Sequence, residues 1–365
     1  MFLNLLRNFE YYLNFPILSS SYYLDTDFWN TDKNKAPITT GQYKISEVTN
    51  NTIVLGKNSN WWNSKKDTTI IDKITINLYS TAAELYNAFK MGSIDLISTE
   101  NGSYQDYIGT IGYDVSEIEG REFIFLALNT QSGILSDANV RKAIRASLDK
   151  NRIISNSYGN MYKQTNFPLN TGSYLIEKQD ENFYNIDEKN NLLTSSGWEL
   201  KNGIWQKIEN YKTQRLQLNL AVKASDSTRV AVAQNIAAQL ENQGIHVNIV
   251  QLSDDQYYNS INVKNYDMIL CSINLSLTPD LTTFFGDNNI SNYQNDEVRS
   301  IMEEVKNTTD ENTLVNKYKR LAEIYKEDVP YISLYNNKFT VAYNTGLKGD
   351  VTPNWYNVFY HIADW

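Results

Sequence analysis

Between Leu216 and Tyr343 the chain alternates short apolar runs with longer amphipathic ones, and few topologies can bury such a pattern. "LQLNLAV" (216 to 222), "IHVNIVQL" (245 to 252) and "YDMILCSI" (266 to 273) read as strands. "STRVAVAQNIAAQLENQG" and a short stretch near 254 to 263 read as the helices between them. Strand, helix, strand at this spacing predicts βαβ crossovers and a mainly parallel, doubly wound sheet. "NDEVRSIMEEVKNT" and "DENTLVNKYKRLAEIYKED" predict two further helices ending before Pro330, and "PYISLYNNKFTVAY" returns to strand.

The same grammar appears earlier. "TTGQYKISEVTNNTIVLGKNSNWWN" (39 to 63) reads as two strands around an Asn-Asn turn, with Trp61 and Trp62 closing the pair. "IIDKITINLYS" alternates Ile74, Ile76 and Leu78 as a one-faced strand. Thr81 and Glu84 have capping-box spacing ahead of a helix carrying Leu85, Ala88 and Phe89, which stops at Gly92 before the strand "IDLIS". "REFIFLALNTQ" (121 to 131) is a continuous apolar strand. "SDANVRKAIRASLDKNRII" predicts one helix, N-capped by Asp137, with Val140, Ala143, Ile144 and Leu148 in its stripe. From about 160 to 205 the pattern dissolves into loop, apart from a helix end and a small hairpin in "NLLTSSGWELKNGIW".

With 365 residues the chain can hold two or three compact domains. The predicted division is a lead-in at 1 to 20, a first α/β lobe at 21 to 121, a second at 122 to 343, and a C-terminal return to the first at 344 to 365. Two strand-rich joints, in place of a flexible linker, suit a hinge. The formal net charge of −9 argues against a phosphate-tracking surface and hence against nucleic acid. No run approaches the roughly 18 apolar residues of a membrane span. The opening "MFLNLLRNFEYYLNF" is too interrupted for a secretory signal.

Enzyme chemistry finds little support. There is no G-x-S-x-G elbow, no phosphate-binding loop and no dinucleotide fingerprint. His246 and His361, the two histidines, exclude an H-E-x-x-H zinc site and read as ordinary sheet and tail positions. "DTDFWNTD" (25 to 32) lacks the Gly and terminal Glu of a calcium loop. Cys271, the single cysteine, permits no intrachain disulfide, and "MILCSIN" offers no cation to activate it. The 26 Tyr and 7 Trp could line clefts, but half-buried strand positions account for them more simply.

Several blocks, in order, resemble the family 5 extracellular solute-binding proteins of ABC transporters. Thr40-Gly41-Gln42-Tyr43 and Asn58-Ser59-Asn60-Trp61-Trp62 are similar to that family's "GTGPY" turn and "NPNYW" ending. "ELYNAFKMGSIDLI", "NVRKAIRASLDKNRII", "IAAQLENQGIHVNI" with "YDMIL", and the helix pair closing in "VPYISLY" resemble four further family blocks. The resemblance runs from about residue 15 to the end. It implies a two-lobed, type II periplasmic-binding-protein fold with mixed sheets flanked by helices, closing like a clamp on a solute. It implies no catalytic residue, no metal and no cofactor. The implied partners are an oligopeptide, dipeptide or other small solute and the permease subunits of an ABC importer, with the chain a monomer at the extracellular or periplasmic face. The alternatives are a ligand sensor feeding a signalling receptor, or a nickel-chelate or sugar ligand.

Two departures from the pattern stand out. The "GTGPY"-like turn falls near the start, so the expectation is a chain lacking part of the first lobe together with its export signal and lipid-anchor cysteine. After the "YDMIL" strand, peptide binders carry "GW" and an Asp; here the stretch is "CSINLSLTPDLTTFF". By position, the expected ligand-facing residues are Thr40, Gly41, Asn129, Lys223 and Asn274. Asp280 is a further candidate, with a local cap as its other reading.

Overall fold

The computed structural model describes residues 17–24, 27, 29–66, 69–100, 112–158, 161–177 and 181–365. Most of the lead-in, and Asp25, Thr26 and Phe28 of the acidic run, lie outside the described residues. The chain divides into two compact units. One is Glu119–Lys338; the other takes in Phe339–Trp365 and the described part of Tyr12–Ile118. The chain crosses between them at 118/119 and 338/339, within strands, where the sequence places the divisions at 121/122 and 343/344.

The smaller unit begins with an antiparallel meander: β1 (Tyr43–Val48), β2 (Thr52–Lys57) and β3 (Lys73–Asn77). Tyr43 faces Lys57 and Val48 faces Ile53, with a bulge between Ile45 and Glu47. The tryptophans do not close this hairpin. Trp61 is half-buried and Trp62 is 80% exposed, because the chain bends away at Asn58, whose amide donates to Gly41 O and accepts from Asn60 N. Leu78, expected in the stripe of β3, lies past its end and is exposed. Thr81 does cap helix Ala82–Lys90, but Glu84 reaches back to Ser80 N, and Tyr86 and Phe89 are the residues the helix buries. β4 (Leu96–Thr99) follows.

β5 (Tyr113–Leu128) carries the chain into the larger unit. There the expected single helix breaks in two, Ala138–Ala146 and Lys150–Tyr158. Asp149 explains the break: its carboxylate accepts from Arg152 N, so it starts a new helix where the apolar stripe alone reads as continuous. Asp137 caps the first piece as expected. β6 (Tyr162–Gln164) leads to helix Ile186–Ser195 and a three-stranded meander of β7 (Glu199–Lys201), β8 (Ile204–Glu209) and β9 (Lys212–Arg215). Asn202 and Gly203 both take positive φ, as a two-residue hairpin turn requires.

β10 (Gln217–Lys223), β11 (His246–Leu252), β12 (Met268–Asn274) and β13 (Tyr331–Asn344) complete the main sheet. Its order is β11-β10-β12-β5-β13-β4, with β6 on β13. β10 runs parallel to both β11 and β12, but β5 runs antiparallel to β12. The sheet is therefore mixed, where the strand-helix alternation alone predicts a mainly parallel one. β13 carries the chain back into the smaller unit, where Thr340 to Tyr343 pair with β4.

Successive residues of the larger unit's strands supply two cores. Ile124, Leu126 and Leu128 of β5, with Leu218, Leu220, Met268 and Leu270, pack against helices Ala138–Ala146 and Ser227–Glu241 on one face. Phe123, Phe125 and Ala127, with Ile269 and Cys271, pack against helices Asp296–Asn307 and Glu311–Asp328 on the other. This is a three-layer α/β/α unit. Among the described residues no helix is long and apolar enough to cross a membrane.

Candidate functional site

Parallel strands with helical crossovers leave a ligand-accepting edge at their carboxyl ends. In the larger unit that edge is formed by the ends of β10 and β12 and, since β5 runs oppositely, by the stretch where β5 enters the unit around Glu122, which pairs with Asn274. A polar network occupies it. Asp226 caps helix Ser227–Glu241, accepting from Arg229 N at 2.9 Å. The Arg229 guanidinium donates back to Asp226 Oδ2, onward to Glu122 Oε1, and to Ser272 Oγ at 2.5 Å. Glu122 Oε2 accepts from Tyr162 OH at 3.2 Å, and Glu122 N donates to Asn337 Oδ1 at 2.9 Å.

The network is partly sheltered: the Arg229 side chain is 20% exposed and that of Glu122 28%. Burial opposes the charge on Arg229, but Asp226 and Glu122 outweigh it and raise its pKa. Among the described residues its buried Nε makes no hydrogen bond. Tyr162 stacks into a cluster with Tyr158 and Tyr335, and burial, then the Glu122 charge, pushes its phenol well above the ordinary range. Gly120 makes the approach of Asn337 possible, since a Cβ there would overlap the Asn337 amide.

On the other face of the same edge Lys223 Nζ lies 2.8 Å from Asp254 Oδ2 and 5.3 Å from the centre of the exposed Tyr258 ring. The hydrogen bond to Asp254 raises the lysine's pKa, and the pair lowers that of Asp254. Asn274 is exposed, and its side chain makes no hydrogen bond among the described residues. Three carboxylates (Glu122, Asp226, Asp254) and two cations (Lys223, Arg229) thus border one edge, an arrangement suited to a ligand carrying both signs of charge.

Of the residues expected from sequence, Lys223 and Asn274 meet at this edge. Asn129 does not join them. It follows Leu128, which pairs with Met268 at the first residue of β12, so it lies at the opposite end of the sheet. It is buried there, its amide donating to the carbonyls of Lys264 and Tyr266 and accepting from Gln131 N, which makes it a structural tie. Asp280 Oδ1 accepts from Thr282 N and Oγ1, the local tie foreseen as its other reading. Thr40 and Gly41 are exposed residues of the smaller unit, and Gly41 has no positive φ to make glycine obligatory. Glu122, Asp226 and Arg229 went unnoticed in the sequence, and Ser272 lies in the "CSINLSLTPDLTTFF" stretch without being among the expected ligand-facing residues. One signal was there: an arginine in the first turn of a helix opposes the helix dipole and so calls for a partner.

The mixed sheet and flanking helices have the two-lobed architecture of type II periplasmic binding proteins. The nickel ABC transporter of Bacillus halodurans superposes with a TM-score of 0.77 at 20% identity, covering 88% of this chain and 68% of that one. The ABC transporter substrate-binding protein CtaP of Listeria monocytogenes gives 0.73 at 17% identity, covering 95% and 70%. The family described as bacterial extracellular solute-binding proteins, family 5 Middle, matches residues 6–295, and the chain belongs to that family. It is 21% identical over 344 residues to the oligopeptide-binding protein AppA of Bacillus subtilis, covering 90% of this chain and 62% of AppA. It is 24% identical over 350 residues to the peptide transport periplasmic protein SapA of Haemophilus influenzae, covering 87% of this chain and 56% of SapA. The chain thus spans about three-fifths of the length of these two relatives.

Proposed function

We propose that this protein is the solute-binding component of an ABC importer and that it captures a short peptide. The carboxyl edge of β10 and β12 is the part of the solute site that the larger unit supplies. The observation that carries this reading is the mixed-charge edge built on Arg229, with Glu122, Asp226, Lys223 and Asp254 around it. A peptide presents an ammonium, a carboxylate and backbone amides together, and such an edge can answer all three. Asn274, exposed and unengaged, is a ready partner for a peptide carbonyl or amide.

Ligand binding favours a closed arrangement of the lobes, which a permease reads at the outer face of the membrane. The protein acts as a monomer and no chemical step is required of it. The test is thermal unfolding in the presence of a mixed library of di- to pentapeptides. At a concentration of 100 Kd a bound peptide adds about 2.7 kcal/mol to stability, a readily measured rise in Tm. An unchanged Tm throughout, together with no heat by titration calorimetry, defeats the peptide assignment.

A further inference from the structure

The larger unit also holds a cavity of about 250 Å³ away from the edge just described. It lies between helix Ala138–Ala146, helix Glu311–Asp328 and the first residues of β13. Tyr331 follows Pro330, whose carbonyl accepts from Leu128 N, so this is the end of the sheet opposite Asn274. Aromatic and aliphatic side chains, among them Phe167, Ile176 and Tyr325, form its apolar surface.

Its charges do not cancel. Glu177 is paired with Lys319 at 3.3 Å, Glu181 with Lys326 at 2.8 Å, and Glu323 with Arg320 at 3.0 Å. Among the described residues, two cations are left without a carboxylate in contact. Lys150 is 5% exposed and donates to Thr165 O at 2.8 Å and Asn166 Oδ1 at 2.5 Å, which uses two of its three protons. Arg145 donates through Nη1 to Lys326 O at 2.7 Å and lies over the Phe183 ring at 4.1 Å, while its Nε is buried and has no partner among the described residues. A buried donor with no acceptor is rare in a folded protein, and here it borders a cavity beside a second cation short of a counter-charge.

We propose that this cavity is a second ligand site, separate from the solute-binding edge, and that it takes a small carboxylate with an apolar or aromatic body. The carboxylate meets Arg145 and Lys150, and the body lies against Phe167, Ile176 and Tyr325. The state of Lys150 fits: burial, then the nearby Arg145 charge, brings its pKa down to about 7, and an arriving anion relieves both. The volume limits the ligand to about one ring with a short acidic arm.

Benzoate is the direct probe, with benzamide and benzylammonium as neutral and cationic controls. Titration calorimetry on the whole chain is expected to show saturable binding of benzoate, at least tenfold tighter than either control. Lys150→Met and Arg145→Gln should each weaken it about tenfold or more, while Arg229→Gln at the other site leaves it unchanged. Should either cavity variant fail to fold, the wild-type protein still decides: benzoate should shift the ε-methylene NMR resonance of Lys150, and benzamide should not. Absence of saturable binding up to the order of 10 mM, equal affinity for benzamide, or full affinity in both cavity variants overturns the proposal.

Discussion

Replacing Arg229 with methionine keeps the apolar stem of the side chain and removes the guanidinium that holds the edge network together. The wild-type guanidinium serves Glu122, Asp226 and Ser272, and the two carboxylate side chains are 28% and 27% exposed. Removing one partner of a fully buried pair costs about 3–5 kcal/mol because the other charge is stranded. Water still reaches roughly a quarter of each carboxylate side chain here, so the expected loss is about 2–3 kcal/mol. Urea unfolding monitored by tryptophan fluorescence measures it, and a cycle with Glu122→Gln isolates the pair. In the double variant Glu122 no longer carries a charge to strand, so the two losses should fall short of additive by about 1–2 kcal/mol. A loss below about 0.5 kcal/mol for Arg229→Met, or strict additivity in the cycle, would refute the view that these charges form one sheltered network.

Four further outcomes follow from the geometry. Lys150 is held at about 7 in the folded state against 10.5 when exposed, so between these values the unfolded chain binds the extra proton. Stability should therefore rise from pH 7 towards pH 10, approaching a slope of about 1.4 kcal/mol per pH unit, and Lys150→Met should abolish this component in pH-dependent urea melts. Burial pushes the Cys271 thiol up to about 12, so a thiol reagent at pH 8 should modify it only at the rate of unfolding; fast labelling of the native protein would contradict its position in the core. Asn129→Ala leaves the Lys264 and Tyr266 carbonyls without their donor and should cost about 1–3 kcal/mol with no change in peptide affinity. Gly120→Ala should force the Asn337 amide away from Glu122 N, lowering Tm and weakening peptide binding together.

The strands and helices of the larger unit were legible because both sheet faces are buried, which makes β5, β10 and β12 short apolar runs and puts an apolar stripe on the covering helices. Strand direction was not legible. Nothing in "REFIFLALNTQ" says that it runs against "YDMILCSI", since buried strands of either sense read as apolar runs. With β5 antiparallel to β12, Asn129 lies at the end of the sheet opposite Lys223 and Asn274, so the three expected residues do not share one edge. The Arg229 network escaped notice for a similar reason: Glu122, Arg229 and Ser272 are far apart in sequence and meet only once β5, β12 and the helix after β10 are assembled. The helix break at Asp149 and the exposed Trp62 are local matters in which a single side-chain hydrogen bond overrides the broader pattern.

The most direct test is a calorimetric titration of the tightest-binding library peptide into the wild-type protein and into Arg229→Gln, with folding of both verified by circular dichroism. If the edge of β10 and β12 holds the solute, the wild type gives a saturable heat and the variant binds at least tenfold more weakly, about 1.4 kcal/mol or more. Equal affinity in the two proteins, or no heat in the wild type, would contradict it.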